Sequence, residues 1–123
     1  TWVCARGETA KVEEGIESAY QACVLGLRDY VLKNGFPGVV LGLSGGIDSA
    51  LVAAIAADGL GPDKVHAIML PSKFTSDDSL ADAAQCAKAL GIRYDKISIE
   101  PAVVALNWSL KDLFAGHEPG ITE

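Results

Sequence analysis

Residues 42–49 read Gly-Leu-Ser-Gly-Gly-Ile-Asp-Ser, set between the apolar run Val39 to Leu41 and a helix-patterned stretch of small residues, Ala50 to Ala57. That order specifies a strand, a tight glycine turn and a helix N-terminus. The first amides of a helix have no intrahelical partner and lie at the positive end of the peptide dipoles, so the junction is a ready anion site. Ser44 and Ser49 add hydroxyl donors. Gly45 and Gly46 remove the Cβ atoms that would hold an oxyanion off the backbone, and they permit the positive φ that a cradle of consecutive N–H groups often needs. The chemistry fits phosphate.

The turn is not a Walker A loop, in which a lysine faces the β- and γ-phosphates, because Ile47 and Asp48 stand before Ser49 here. A bare carboxylate would repel phosphate. Asp48 makes sense with a divalent cation between the two, and Mg²⁺ commonly takes one or two carboxylates plus phosphate oxygens. A plainer reading stays open, in which Asp48 only complements the helix dipole and the glycines only turn the chain.

The remaining sequence predicts an α/β frame. Ile16, Ala19, Tyr20, Cys23, Leu27, Tyr30 and Val31 recur at intervals of three and four, marking a helix from about Val12 to Lys33 that ends at Asn34, Gly35 and Pro37. Val39 to Leu43 reads as a buried strand, and Ile47 to about Asp58 as an alanine-rich helix broken by Gly59, Gly61 and Pro62. A second strand, Val65 to Leu70, closes at Pro71. Ser76 or Thr75 can cap a helix with the apolar stripe Leu80, Ala83, Ala84, Ala87 and Leu90, stopped by Gly91. Tyr94 to Ile99 is a third strand, and Ala102 to Phe114 a fourth helix begun by Pro101. Such alternation predicts a three-layer αβα, doubly wound parallel sheet of Rossmann-like type, with its ligand crevice at the carboxyl ends of the strands. The glycine loop lies at such an end.

Other conspicuous side chains read mostly as structural. His66, inside the second strand, is a core or edge histidine; Trp108 and Phe114 at helical spacing are packing residues; Cys86 is a small hydrophobe. Lys73 follows the second strand at the height of the crevice, where it either helps neutralise a polyphosphate or is an exposed loop lysine.

Ser44 to Ser49 resembles the SGGxDS pyrophosphate loop of the N-type ATP pyrophosphatases, which cleave ATP between the α- and β-phosphates and activate a carboxylate or carbonyl as an adenylate. NAD, GMP and asparagine synthetases and tRNA-thiolating enzymes share it. The flanks discriminate: Ala22 to Val31, Lys33 to Gly38, Met69 to Ser76, Leu90 to Tyr94 and Ile97 to Val103 together resemble the synthetase domain of bacterial glutamine-dependent NAD synthetases. Composition agrees with that branch. The net charge is −6 and the ten Lys and Arg are scattered, so no nucleic-acid footprint is present. Half of the 123 residues are hydrophobic, enough for one domain with a core, and no apolar run is long enough to span a bilayer. Cys4, Cys23 and Cys86 are odd in number and lack Cys-x-x-Cys spacing, which implies neither a disulfide framework nor zinc. With no secretory leader in Thr1 to Ala10, a cytoplasmic location is expected.

The resemblance implies an adenine nucleotide alpha hydrolase-like fold and a specific reaction. ATP, as co-substrate with Mg²⁺, adenylates the carboxylate of nicotinic acid adenine dinucleotide (deamido-NAD), pyrophosphate leaves, and ammonia drawn from glutamine displaces AMP to give NAD. Gly42, Leu43, Ser44, Gly45, Gly46, Ile47, Asp48 and Ser49 would bind the nucleotide, Ser44 and Asp48 would act in catalysis, and Asp48 would hold the metal. Leu70 would be the apolar contact for adenine or ribose, with Met69 beside it. The family continues beyond Gly120 to Glu123 with residues for the dinucleotide and a further metal ligand, and its glutaminase domain lies upstream. The chain, which starts without methionine, is therefore expected to be the N-terminal part of a synthetase domain, incomplete at its C-terminus, homo-oligomeric and without turnover by itself. An ammonia-dependent NAD synthetase, another ligase with this loop, and a non-catalytic nucleotide-binding module are the alternatives.

Overall fold

The computed structural model describes residues 1–9 and 14–116. Four helices alternate with three strands: α1 (Gly15–Lys33), β1 (Val39–Gly42), α2 (Ile47–Leu60), β2 (Val65–Met69), α3 (Asp77–Leu90), β3 (Arg93–Lys96) and α4 (Glu100–Leu110), with a 3₁₀ turn at Pro62–Lys64. The strands pair in the order β1-β2-β3, all parallel, with Val39 opposite Val65 and His66 opposite Arg93. The α/β parallel sheet with flanking helices is as expected.

Local chemistry sets the ends of these elements. Gly35 (φ +68°) and Gly91 (φ +67°) adopt the left-handed conformation that a side chain resists, so the amides after them fold back: Phe36 N–H donates to Val31 O and Ile92 N–H to Ala87 O. Ser76 caps α3, its hydroxyl accepting from Ser79 N–H at 3.2 Å. Gly61 ends α2, whereas Gly59 lies inside it and does not break it. A Cβ on Gly59 would stand 3.1 Å from the Val24 carbonyl oxygen, so this glycine lets α1 and α2 cross closely. The third strand is shorter than expected, but its pairing runs on: Ile97 N–H donates to Met69 O and Ile99 N–H to Pro71 O.

α2 and α3 cover one face of the sheet and touch each other, and α1 packs on α2. Ala53, Ala56, Ala83 and Ala87 are fully buried against Leu43, Val65, Ala67 and Met69, their small side chains bringing helix and sheet into close contact. Each fully buried Val or Leu contributes about 1.5–3 kcal/mol, so Leu43 and Val65 anchor this core more than any alanine.

The other sheet face carries Val40, His66, Ile68 and Asp95, and among the described residues no helix lies over it as the second layer of a doubly wound fold would. Val40 is 68% exposed, so β1 is half-buried and not the buried strand its apolar run implied. The apolar face of α1 is also rotated. Val24 and Val31 are buried, while Ile16, Ala19, Cys23 and Tyr30 are exposed, because among the described residues α1 packs mainly on α2 and needs a narrower stripe. Ala84 on α3 is exposed as well, the buried positions of that helix being Ala83 and Ala87. α4 buries no residue, and Trp108 is 79% exposed rather than packed; Phe114 is exposed too. The expected helix start at Val12 lies outside the described residues, and α4 ends at Leu110 in turns.

Candidate nucleotide-binding site

β1 delivers the glycine loop to the carboxyl edge of the sheet. Leu43, only 1% exposed, plugs its side chain into the core, and its N–H donates to Ile68 O at 3.0 Å, so the loop starts from a fixed point. Beyond it the two serines close the turn on itself. Ser49 Oγ donates to Gly46 O at 2.9 Å, which uses its one proton. Ser44 Oγ, 3.1 Å from Ser49 Oγ, must then be the donor of that pair, and Ser44 N–H also donates to Ser49 Oγ. Gly46 N–H donates to Ser44 Oγ at 3.3 Å.

These bonds account for the amides of Ser44 and Gly46. Those of Gly45, Ile47, Asp48 and Ser49 have no partner among the described residues, the first intrahelical bond of α2 being Ala50 N–H to Gly46 O. Four backbone donors thus cluster at the positive end of α2, at a strand terminus, with no acceptor supplied by the described residues. The two glycines divide the work. Gly45 takes the positive φ (+85°), while Gly46, the residue before α2, has ordinary extended angles and open space where a Cβ would go, with Ser44 Oγ its nearest neighbour at 3.5 Å.

A cleft of about 470 Å³ opens beside the loop, lined by Gly42, Leu43, Ser44, Ile68, Met69, Leu70, Phe74, Thr75, Ser76 and Ser79. Of the residues expected at the site, Gly42, Leu43, Ser44 and Leu70 line this cleft. Gly46 to Ser49 form the helix end next to it, and Ile47, 81% exposed, turns its side chain to solvent and offers only backbone. Leu43 likewise contributes backbone alone. The sequence reading missed the far wall, Phe74 to Ser79; the cap at Ser76 was its one visible signal, because the parallel order β1-β2 brings the start of α3 beside the start of α2. Lys73 does not line the cleft, its ammonium lying 5.0 Å over the Phe74 ring, where cation and ring attract. His66 sits on the open sheet face, its Nε2 2.7 Å from Asp95 Oδ2, away from the cleft.

The Asp48 carboxylate is exposed and makes no hydrogen bond or ion pair among the described residues. No group of three or more His, Cys, Asp or Glu among those residues could hold a metal alone. One free carboxylate beside an anion cradle is the donor set that Mg²⁺ accepts when substrate phosphates and water supply the rest, so the residues present fit that ion.

A parallel α/β sheet with a self-closed serine and glycine loop at the end of its first strand, and unpartnered backbone donors at the helix start that follows, defines the class of domain. A sequence model of the NAD synthase family matches residues 19–116, and the chain belongs to that family. It is 56% identical over 108 residues to the glutamine-dependent NAD(+) synthetase of Rhodobacter capsulatus, covering 88% of this chain and 20% of the relative. The enzyme of that name from Thermotoga maritima is 50% identical over 107 residues, 87% of this chain and 19% of its own. Among solved structures, the glutamine-dependent NAD+ synthetase from Acinetobacter baumannii in complex with adenosine diphosphate superposes with a TM-score of 0.88 at 41% identity, over 94% of this chain and 22% of that one. NMN synthetase from Francisella tularensis gives 0.74 at 33%, over 81% and 41%. The chain spans about a fifth of the length of the curated relatives it matches.

Proposed function

We propose that this chain is the ATP-binding part of a glutamine-dependent NAD synthetase, a ligase that forms the amide of NAD from deamido-NAD. The carboxylate of deamido-NAD attacks the α-phosphorus of ATP, pyrophosphate departs, and ammonia from glutamine displaces AMP. The observation that carries this reading is the group of partnerless amides at Gly45, Ile47, Asp48 and Ser49, in a chain of the NAD synthase family. Negative charge grows on the departing pyrophosphate, and donors already aimed at it stabilise that charge without reorganising. Ser44 turns its hydroxyl proton from Ser49 Oγ to a phosphate oxygen, and Ser49 turns its own from the Gly46 carbonyl, so the loop's internal bonds are exchanged for bonds to the ligand. Leu70, exposed at the end of β2, supplies an apolar contact for the adenosine half. Asp48 would hold Mg²⁺, which when bound neutralises phosphate charge as a Lewis acid. No nucleophile from the protein is needed.

Cytoplasmic location and homo-oligomerisation belong to the same proposal. Among the described residues no helix is long and apolar enough to cross a membrane.

The test is Gly46→Val. The backbone at Gly46 suits any residue and a Cβ there meets only Ser44 Oγ, at 3.5 Å, so the fold should survive while the added side chain keeps oxyanions from the amides. Calorimetric titration should find ATP and pyrophosphate binding gone. A folded Gly46→Val chain that binds both as before would remove the phosphate-loop reading.

A further inference from the structure

Gly45 does more than expose an amide. A Cβ built on it would lie 2.8 Å from Ser79 Cα and 2.9 Å from the Ser79 carbonyl carbon, and closer still to the carbonyl oxygen. These are backbone atoms in the first turn of α3, so no side-chain rotation relieves the clash. Its φ of +85° adds a second objection to any L side chain. Gly46, its neighbour, meets neither obstacle.

The contact joins the two walls of the cleft. Ser44 and the loop form one side; Thr75, Ser76 and Ser79 form the other. Ser79 is locked to Ser76 by the cap bond and by a 2.9 Å contact between their hydroxyl oxygens, so whatever moves Ser79 moves the whole start of α3. We infer that Gly45 is a positioning residue: the bare face of its Cα seats the first turn of α3 and so holds the far wall of the nucleotide cleft in register with the phosphate loop. This rests on the ATP-binding reading above. Gly46 is then the glycine that faces the ligand, and Gly45 the one that faces the protein.

The test compares Gly45→Ala with Gly46→Ala in the full chain, with adenosine and inorganic pyrophosphate as separate probes. Amide hydrogen exchange at Ser79 and Leu80, whose N–H groups donate to Ser76, is read without ligand. Gly45→Ala should lose exchange protection at both amides and bind adenosine more weakly by about tenfold or more, as expected when one wall shifts by about an ångström. Gly46→Ala should keep both properties and lose affinity for pyrophosphate only. Should Gly45→Ala fail to fold, D-alanine placed at position 45 by ligation decides the matter, since it suits a positive φ and turns its methyl away from Ser79. A folded D-alanine chain with native protection at Ser79 and Leu80 supports the inference. Unchanged protection and adenosine affinity in Gly45→Ala, or a D-alanine chain as damaged as the L form, would overturn it. If wild-type chain bound neither probe, the ATP reading would fall while the exchange data still judged the contact.

Discussion

Asp48 and Asp95 are both carboxylates on a sheet edge or helix end, and their surroundings give them different tasks. Asp48 has no protein partner among the described residues, so its charge is available to a cation. With this chain in place of the matching fifth of the Rhodobacter capsulatus relative, Asp48→Asn should abolish Mg²⁺-dependent NAD formation while metal-free nucleotide binding changes little. Persistence of both activity and Mg²⁺ dependence would reduce Asp48 to a helix-dipole residue. Asp95 is instead engaged twice, by His66 Nε2 from β2 at 2.7 Å and by Arg93 of its own strand at 3.0 Å. The His66 hydrogen bond, helped by Arg93, holds its carboxyl below the usual value. A depressed folded-state pKa gives stability that is present above the unfolded pKa and lost as pH falls through the folded one. The melting temperature of wild type should therefore exceed that of Asp95→Asn at neutral pH, and the two should converge in acid. Parallel melting curves across the whole acid range would show the cluster to be inert.

At the level of elements, the α1–α2 crossing depends on Gly59. Alanine gains up to about 1 kcal/mol over glycine in a helix interior and less at a penultimate position such as 59, and here the methyl would press on the Val24 carbonyl, so the two effects oppose. A larger side chain removes the ambiguity. Gly59→Leu should cost about 2 kcal/mol through overpacking, read as a lower urea midpoint with unchanged slope. Loss of nothing would mean that α1 rides loosely on α2. The hydrogen bond from Tyr20 to Asp58, 2.6 Å long, ties the same pair of helices and raises the Tyr20 pKa.

For the whole molecule, the exposed apolar residues are the main consequence of the fold. Ile16 and Tyr30 on α1, Val40 on the open sheet face, and Val104, Leu106 and Trp108 on α4 all face solvent in the single chain. Surface of this kind tends to associate. Light scattering should return a mass above that of one chain, and Trp108, solvent-exposed in the monomer, should become less quenchable by iodide as concentration rises. A monodisperse monomer with concentration-independent quenching would count against association through these faces.

What the sequence determined by itself is local. The loop 42–49, the caps at Ser76, Gly35 and Gly91, and the alternation of strand and helix are written in residue types whose backbone preferences act over a few positions. Family membership was legible for the same reason, in contiguous motifs. Tertiary structure decided which apolar residues are buried, because periodicity marks a face without saying what covers it: Val24 went in, while Ala19, Cys23, Val40 and Trp108 stayed out. It also decided that Gly59 is a crossing point and not a helix breaker. The different duties of Gly45 and Gly46 are of the same kind. They depend on Ser79, thirty-odd residues away, whose backbone reaches the loop only because parallel pairing of β1 and β2 sets two helix N-termini side by side.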